Sequence, residues 1–234
     1  MFRSILFKII FFVGIIFIFI ISIPALIMPN NLILFLGKIC GYWTVFCLKI
    51  FLGIKIKLIG KENIIKNEKF FVACAHQSIF ETFFLQTIIK SPVFILKKEL
   101  LKIPIFGWHL KKINSISINR NTTSRENLGF LDRISYVLNK TKRPIIIFPQ
   151  GTRSSPEIKT PFKKGVSRIY EHLKIKCLPI ALNSGLAWPK QGPLKKNTTI
   201  TVSILSPLSS GMPNDLFIKE LEEKIYKEID TMNN

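Results

Sequence analysis

Acid is scarce in this chain. Only 14 Asp and Glu stand against 34 Lys and Arg in 234 residues, which leaves a net charge of +20. That imbalance points away from cationic partners and toward an anionic one: nucleic acid, an anionic membrane surface or a phosphorylated substrate. Cysteine is sparse too. Cys40, Cys47, Cys74 and Cys177 form no CxxC pair and no zinc-type spacing, so a reduced, cytosol-facing protein without disulfides is expected. The chain has no GxxxxGK[ST] or GxGxxG loop and no HExxH pair, which removes the common nucleotide cradles and a metalloprotease helix. Internal repeats and low-complexity linkers are missing as well. Apolar residues, by contrast, are plentiful: 48% are hydrophobic and 12% aromatic. A chain of this length and composition can bury a sizeable core, with room for one α/β domain and a short appendage.

The appendage lies at the N-terminus. No charged residue occurs from Ile9 to Met28, a run able to span about 30 Å of hydrocarbon as a helix. A cleaved signal peptide, the competing reading, would carry a shorter apolar region of about 7–15 residues and a small-residue cleavage site. No AxA-like site follows. Pro24, Pro29 and Asn30-Asn31 mark a turn, and a second apolar stretch, Leu32 to Ile54, is broken only by Lys38 and Lys49. This pattern predicts a hairpin over 1–54, leaving 55–234 as the α/β domain. Arg3 and Lys8 precede it and Lys55, Lys57 and Lys61 follow, so the positive-inside bias puts both ends in the cytosol. Lys38 and Lys49 would be costly at the bilayer centre, which leaves a spanning and a half-inserted hairpin both open. Juxtamembrane cations gain from acidic lipids, and the hairpin favours a membrane over nucleic acid as the anionic partner.

Beyond Gly60, short apolar runs alternate with amphipathic stretches. Strands are expected at Ile54–Ile59, Phe70–Ala75, Val93–Leu96, Ser115–Ile118, Ile145–Phe148, Leu178–Ala181 and Thr199–Leu205. Helices are expected at Ile79–Ile89, Thr123–Leu138, Lys164–His172 and Asp215–Ile229, the last presenting Ile218, Leu221, Ile225 and Ile229 on one face. The alternation predicts an α/β fold, a layered sheet flanked by helices.

Two segments carry candidate chemistry. In Phe71-Val-Ala-Cys-Ala-His76-Gln-Ser-Ile-Phe-Glu81, a His follows an apolar strand and a carboxylate comes five residues later. On one continuous helix those side chains would diverge by about 140°. They meet only if His76 lies in the turn and Glu81 in the start of the following helix. A carboxylate on one imidazole nitrogen fixes the tautomer and leaves the other nitrogen as a base. The second segment, Ile145-Ile-Ile-Phe-Pro149-Gln-Gly151-Thr-Arg153-Ser154, is a buried strand ending in a turn. There Gly151 permits close backbone approach, Arg153 offers a planar fork suited to phosphate, and Thr152 and Ser154 add hydroxyls.

Together these segments resemble the glycerolipid acyltransferase family, whose nearest type is the bacterial lysophosphatidate acyltransferases. Further stretches resemble other blocks of that family in order: Lys97-Lys98-Glu99-Leu100 with Pro104 and Gly107, Ser115 to Arg120, Phe162-Lys163-Lys164-Gly165, and Leu178-Pro179 through Gly185. The resemblance covers roughly Phe70 to Gly185 and implies a transferase of phospholipid biosynthesis. Glu81 replaces the usual Asp, Gln150 the usual Glu, and Ala75 an Asn that often precedes the His.

By this resemblance His76 is the general base and Glu81 its orienting partner. Arg153 grips the acceptor phosphate with Gly151, Thr152 and Ser154 around it, and Arg120 or Lys98 assists. The acceptor would be lysophosphatidic acid, the product phosphatidic acid and the donor acyl-CoA or acyl-carrier protein, with no metal or bound cofactor. The expected location is the inner, cytoplasmic membrane, with membrane lipid around the hairpin. A lysolipid lacking phosphate, such as lyso-ornithine lipid, is the rival acceptor, and a non-catalytic, membrane-anchored basic binding protein is the rival class.

Overall fold

The architecture follows from where the chain is apolar on all sides, on one side, or not at all. The computed structural model describes residues 2–119 and 129–233. Uninterrupted apolar sequence gives helix α1 (Phe2–Ile21), and the two prolines confine a 3-10 turn over Ile23–Leu26 before α2 (Asn30–Leu52). Both helices are long and apolar enough to cross a membrane, and only 17% and 33% of their most apolar windows are buried. Core helices of a soluble protein would be mostly covered. Instead Phe12, Val13, Ile16 and Phe17 of α1 and Phe35, Phe46 and Ile50 of α2 face outward.

Seven strands form one mixed sheet: β1 (Lys55–Ile59), β2 (Phe70–Cys74), β3 (Val93–Lys97), β4 (Ile116–Ile118), β5 (Ile145–Ile147), β6 (Lys176–Leu182) and β7 (Thr199–Ile204), in the order β1-β7-β6-β2-β5-β3-β4. Strands β4, β3, β5, β2 and β6 run parallel, while β7 pairs antiparallel with β6 and parallel with β1. Every residue of β2 and β5 is buried, the expected consequence of helices covering both faces of a parallel sheet. Helices α3 (Phe80–Ile88), α4 (Phe106–Lys112), α5 (Phe130–Thr141), α6 (Gly165–Leu173), α7 (Ser184–Ala187) and α8 (Asn214–Asn233) complete the fold. Because β2, β5, β3 and β4 are parallel, the segments that follow them all emerge at one end of the sheet. Open α/β sheets bind ligands there.

The hairpin packs directly on this domain. Phe7 and Phe11 are fully buried, and both meet the Trp188 ring edge-on at centroid distances of 5.1 and 5.0 Å. At the hairpin turn, the buried His109 of α4 donates Nδ1–H to the Ile105 carbonyl and places Nε2 2.7 Å from the Ser22 hydroxyl. Nearby, the Arg143 guanidinium donates to the carbonyls of Ser91, Ile113 and Pro92 at 2.7, 2.8 and 2.9 Å. It fastens the segments leading into β3 and β4 to the start of β5, and burial lowers its pKa to about 10.

Besides the short α7, which was not foreseen, three elements depart from the sequence reading. The helix expected over Thr123–Leu138 starts at Phe130 after Gly129, whose φ of 73° is left-handed, and residues 120–128 lie outside the described part. Helix α4 carries no apolar period of its own over its seven residues and was not foreseen. On α8, Phe217 takes the fully buried position with Leu221, Ile225 and Ile229, and Ile218 is only half-buried.

Candidate active site

The strand β2 stops at Cys74 and α3 begins at Phe80, so His76 sits in the intervening turn and Glu81 in the first helical turn. Glu81 is fully buried. A buried carboxylate needs donors on both oxygens, and this one has them. Its Oε1 accepts the backbone N–H of Gln77 at 2.6 Å and of Ser78 at 2.7 Å, together with His76 Nδ1 at 2.9 Å. Its Oε2 accepts the Ser184 hydroxyl at 2.9 Å. Four donors and no acceptor surround the group, so Nδ1 of His76 carries the proton and Nε2 holds the lone pair. Nε2 has no partner among the described residues, and the side chain keeps 12% of its surface exposed. An imidazole held this way can take a proton through Nε2.

The second motif is bound to the first by its backbone. Phe148, just past β5, stacks on the His76 ring at 4.1 Å and 19°. The buried Gln150 accepts the His76 N–H on Oε1 at 3.0 Å and donates its amide to the Tyr226 hydroxyl at 3.4 Å. The Ser154 N–H returns to the His76 carbonyl at 2.9 Å. Gly151 has a φ of 71°, and an added Cβ would meet only the Lys163 side chain at 3.5 Å. Conformation, more than space, calls for glycine here.

At Gln77, the residue after His76, lies a cleft of about 220 Å³ lined also by Arg153, Ser154, Ser155, Gly185, Pro189, Lys190 and Gln191. No carboxylate lines it. Arg153 makes no hydrogen bond or ion pair among the described residues, so its five donors are available. Gly185 closes the cleft floor: its N–H donates to Gln77 Oε1 at 3.0 Å, and a Cβ there would come within 2.7 Å of Pro156 and 3.1 Å of Gln77. A larger groove of about 480 Å³ runs along α8 beside Lys159, Glu222 and Asp230, but no residue of the His76–Glu81 turn or of the Gly151–Ser154 turn lines it. Among the described residues no cluster of His, Cys, Asp and Glu could hold a metal ion. Burial, and secondarily the charge of Glu81, push the adjacent Cys74 thiol well above its ordinary pKa, so it offers no thiolate.

Of the residues singled out in the sequence, His76, Glu81, Gly151, Thr152, Arg153 and Ser154 come together at this one end of the sheet. Lys98 follows β3, one strand beyond β5, and is exposed. Arg120 lies outside the described residues. Sequence reasoning missed Ser184, Gln77 and Lys190. Only the Asn183-Ser184-Gly185 turn after β6 hinted at Ser184, and a lone Lys two residues past Trp188 gave no signal.

A His–carboxylate pair at the end of a parallel sheet, next to an Arg with no partner among the described residues, is an arrangement able to support group transfer. A sequence profile of the family described as Acyltransferase matches residues 55–183. The chain therefore belongs to the acyltransferase family. It is similar to the 1-acyl-sn-glycerol-3-phosphate acyltransferase of Pseudomonas aeruginosa, 30% identical over 182 residues that cover 78% of this chain and 70% of that one. It is 31% identical to the enzyme of the same name from Saccharomyces cerevisiae, covering 79% of this chain and 62% of that one. The fold matches the crystal structure of the 1-acyl-sn-glycerophosphate (LPA) acyltransferase PlsC from Thermotoga maritima with a TM-score of 0.73, at 23% identity over 99% of this chain and 96% of that one.

Proposed function

We propose that this acyltransferase esterifies the free glycerol hydroxyl of lysophosphatidic acid with a fatty acyl group from acyl-CoA or acyl-carrier protein, giving phosphatidic acid. The observation that carries the reading is the Ser154 N–H bond to the His76 carbonyl, which ties the turn carrying His76 to the turn carrying Arg153. In this mechanism His76 Nε2 takes the hydroxyl proton as the oxygen attacks the thioester carbonyl, and Glu81 stabilises the imidazolium. The tetrahedral adduct collapses with cleavage of the C–S bond, and the imidazolium returns the proton to the leaving thiolate. Arg153 holds the acceptor phosphate in a bidentate grip, supported by Ser154 and the Gly151-Thr152 turn, with Arg120 or Lys98 assisting.

The hairpin is read as the membrane element, with the domain on the cytosolic face. In support, Trp188 packs against α1 and is followed within two residues by Lys190 in the cleft, so the cleft adjoins the lipid-facing helix. Thiol release by the purified protein, offered several lysolipids and acyl-CoA, tests the assignment. His76→Ala is expected to fold and to lose ~10²–10⁴ in turnover. A folded His76→Ala protein with near wild-type turnover would sink the mechanism.

A further inference from the structure

We propose that Lys190 is a second acceptor-binding cation, which with Arg153 selects a phosphomonoester head group over a phosphodiester. The inference rests on the acceptor reading above and adds to it the residue that sets head-group specificity. Lys190 reaches the cleft from the loop after α7, a segment separate in sequence from the turn that carries Arg153. Its Nζ lies 3.4 Å from Thr152 Oγ1, a long contact to a neutral group that leaves the ammonium most of its hydrogen-bonding capacity. The nearest acid, Glu157, accepts the Ser155 hydroxyl from outside the cleft and does not line it. The cleft thus presents two cations with no counter-charge on its walls.

A phosphomonoester is a dianion above its second pKa of about 6 and offers three terminal oxygens. A diester carries one charge and two. Arg153 can satisfy either through its planar fork. Only the monoester retains a third oxygen and a second charge for Lys190. Two cations lining one cleft therefore reward the dianion more than the monoanion.

The experiment compares kcat/KM for lysophosphatidic acid and lysophosphatidylglycerol in the full-length protein. Both acceptors react through His76, so its protonation divides out of the ratio. Wild type is expected to favour the monoester, increasingly as pH rises through about 6. Lys190→Gln should lower the ratio about tenfold, the lower end for one charge-assisted contact, and flatten its pH dependence. Lys190→Arg should retain most of the preference. Lys196→Gln, an equal loss of charge on the same exposed loop, should leave the ratio unchanged. An unaltered ratio in Lys190→Gln, or an equal fall in Lys196→Gln, overturns the assignment while leaving the acceptor reading intact. A wild-type enzyme that acylates neither phosphate-bearing lysolipid overturns the acceptor reading, and the role of Lys190 with it.

Discussion

Replacing Glu81 by Gln separates orientation from charge at this site. The carboxylate takes three donors on Oε1 and one hydroxyl on Oε2. A Gln can keep its carbonyl oxygen toward the three donors and turn its amide toward Ser184, whose hydroxyl accepts as well as it donates. The hydrogen bonds survive and the fold should too. What vanishes is the negative charge beside the imidazolium. At an effective dielectric of about 20, unit charges about 3 Å apart attract by roughly 5–6 kcal/mol, before the hydration that a partly exposed His regains. A net loss of about 3–5 kcal/mol corresponds to a fall of ~10²–10⁴ in kcat. Because Glu81 touches no substrate, both Michaelis constants should stay near wild type. Thiol release under saturating donor and acceptor reads kcat, and a thermal melt in detergent reads the fold. A Glu81→Gln protein that keeps more than about a third of wild-type kcat would remove the charge from the mechanism. One that melts far below wild type would reassign Glu81 as a structural residue.

Gln150→Glu should keep activity within about tenfold: burial keeps the new carboxyl protonated, so its carbonyl oxygen can take the His76 N–H and its O–H can donate to the Tyr226 hydroxyl in place of the amide. An inert wild type revived by Gln150→Glu would instead reveal a degraded site. Arg153→Ala should raise the acceptor KM about ten- to a hundredfold with less effect on the donor KM, and Arg153→Lys should recover part of the loss for want of the planar fork. Equal changes in both constants would move Arg153 out of the acceptor site. Arg143→Met strips three carbonyls, two of them in buried bonds, of their donor, at a cost of about 3 kcal/mol, which predicts a melting temperature lower by roughly 6–12 °C. An unchanged melt would show that water replaces the guanidinium.

The parts of this fold legible in the sequence are those set by local pattern. All seven strands were readable because runs such as Ile145-Ile-Ile and Phe71-Val-Ala-Cys are too short for a helix and too apolar for a loop. The His76–Glu81 contact was readable because it needs only a strand end and a helix start. Features created by the sheet order were invisible. Ser184 reaches Glu81 because β6 lies beside β2, pairing Cys74 with Ile180, and no spacing along the chain encodes that. Lys190 shares a cleft with Arg153 although it follows β6 and Arg153 follows β5, two strands away in the sheet. Helix α4 follows Ile105, which adopts a φ of 60°, a conformation for which an Ile gives no warning.

Phe7 and Phe11 against Trp188 have a practical consequence for anyone wishing to shorten this protein. A chain cut after residue 54 would not release a soluble enzyme from a detachable leash. It would strip the cover from Trp188 and from Phe83, which Phe11 also meets, at 5.8 Å, and leave greasy rings in water beside the cleft. The truncated product should self-associate, and the loop bearing Lys190 should lose the buttress that sets its position. Solubility engineering is better aimed at the outward row of Phe12, Val13, Ile16 and Phe17, where polar replacements leave the inner rings seated.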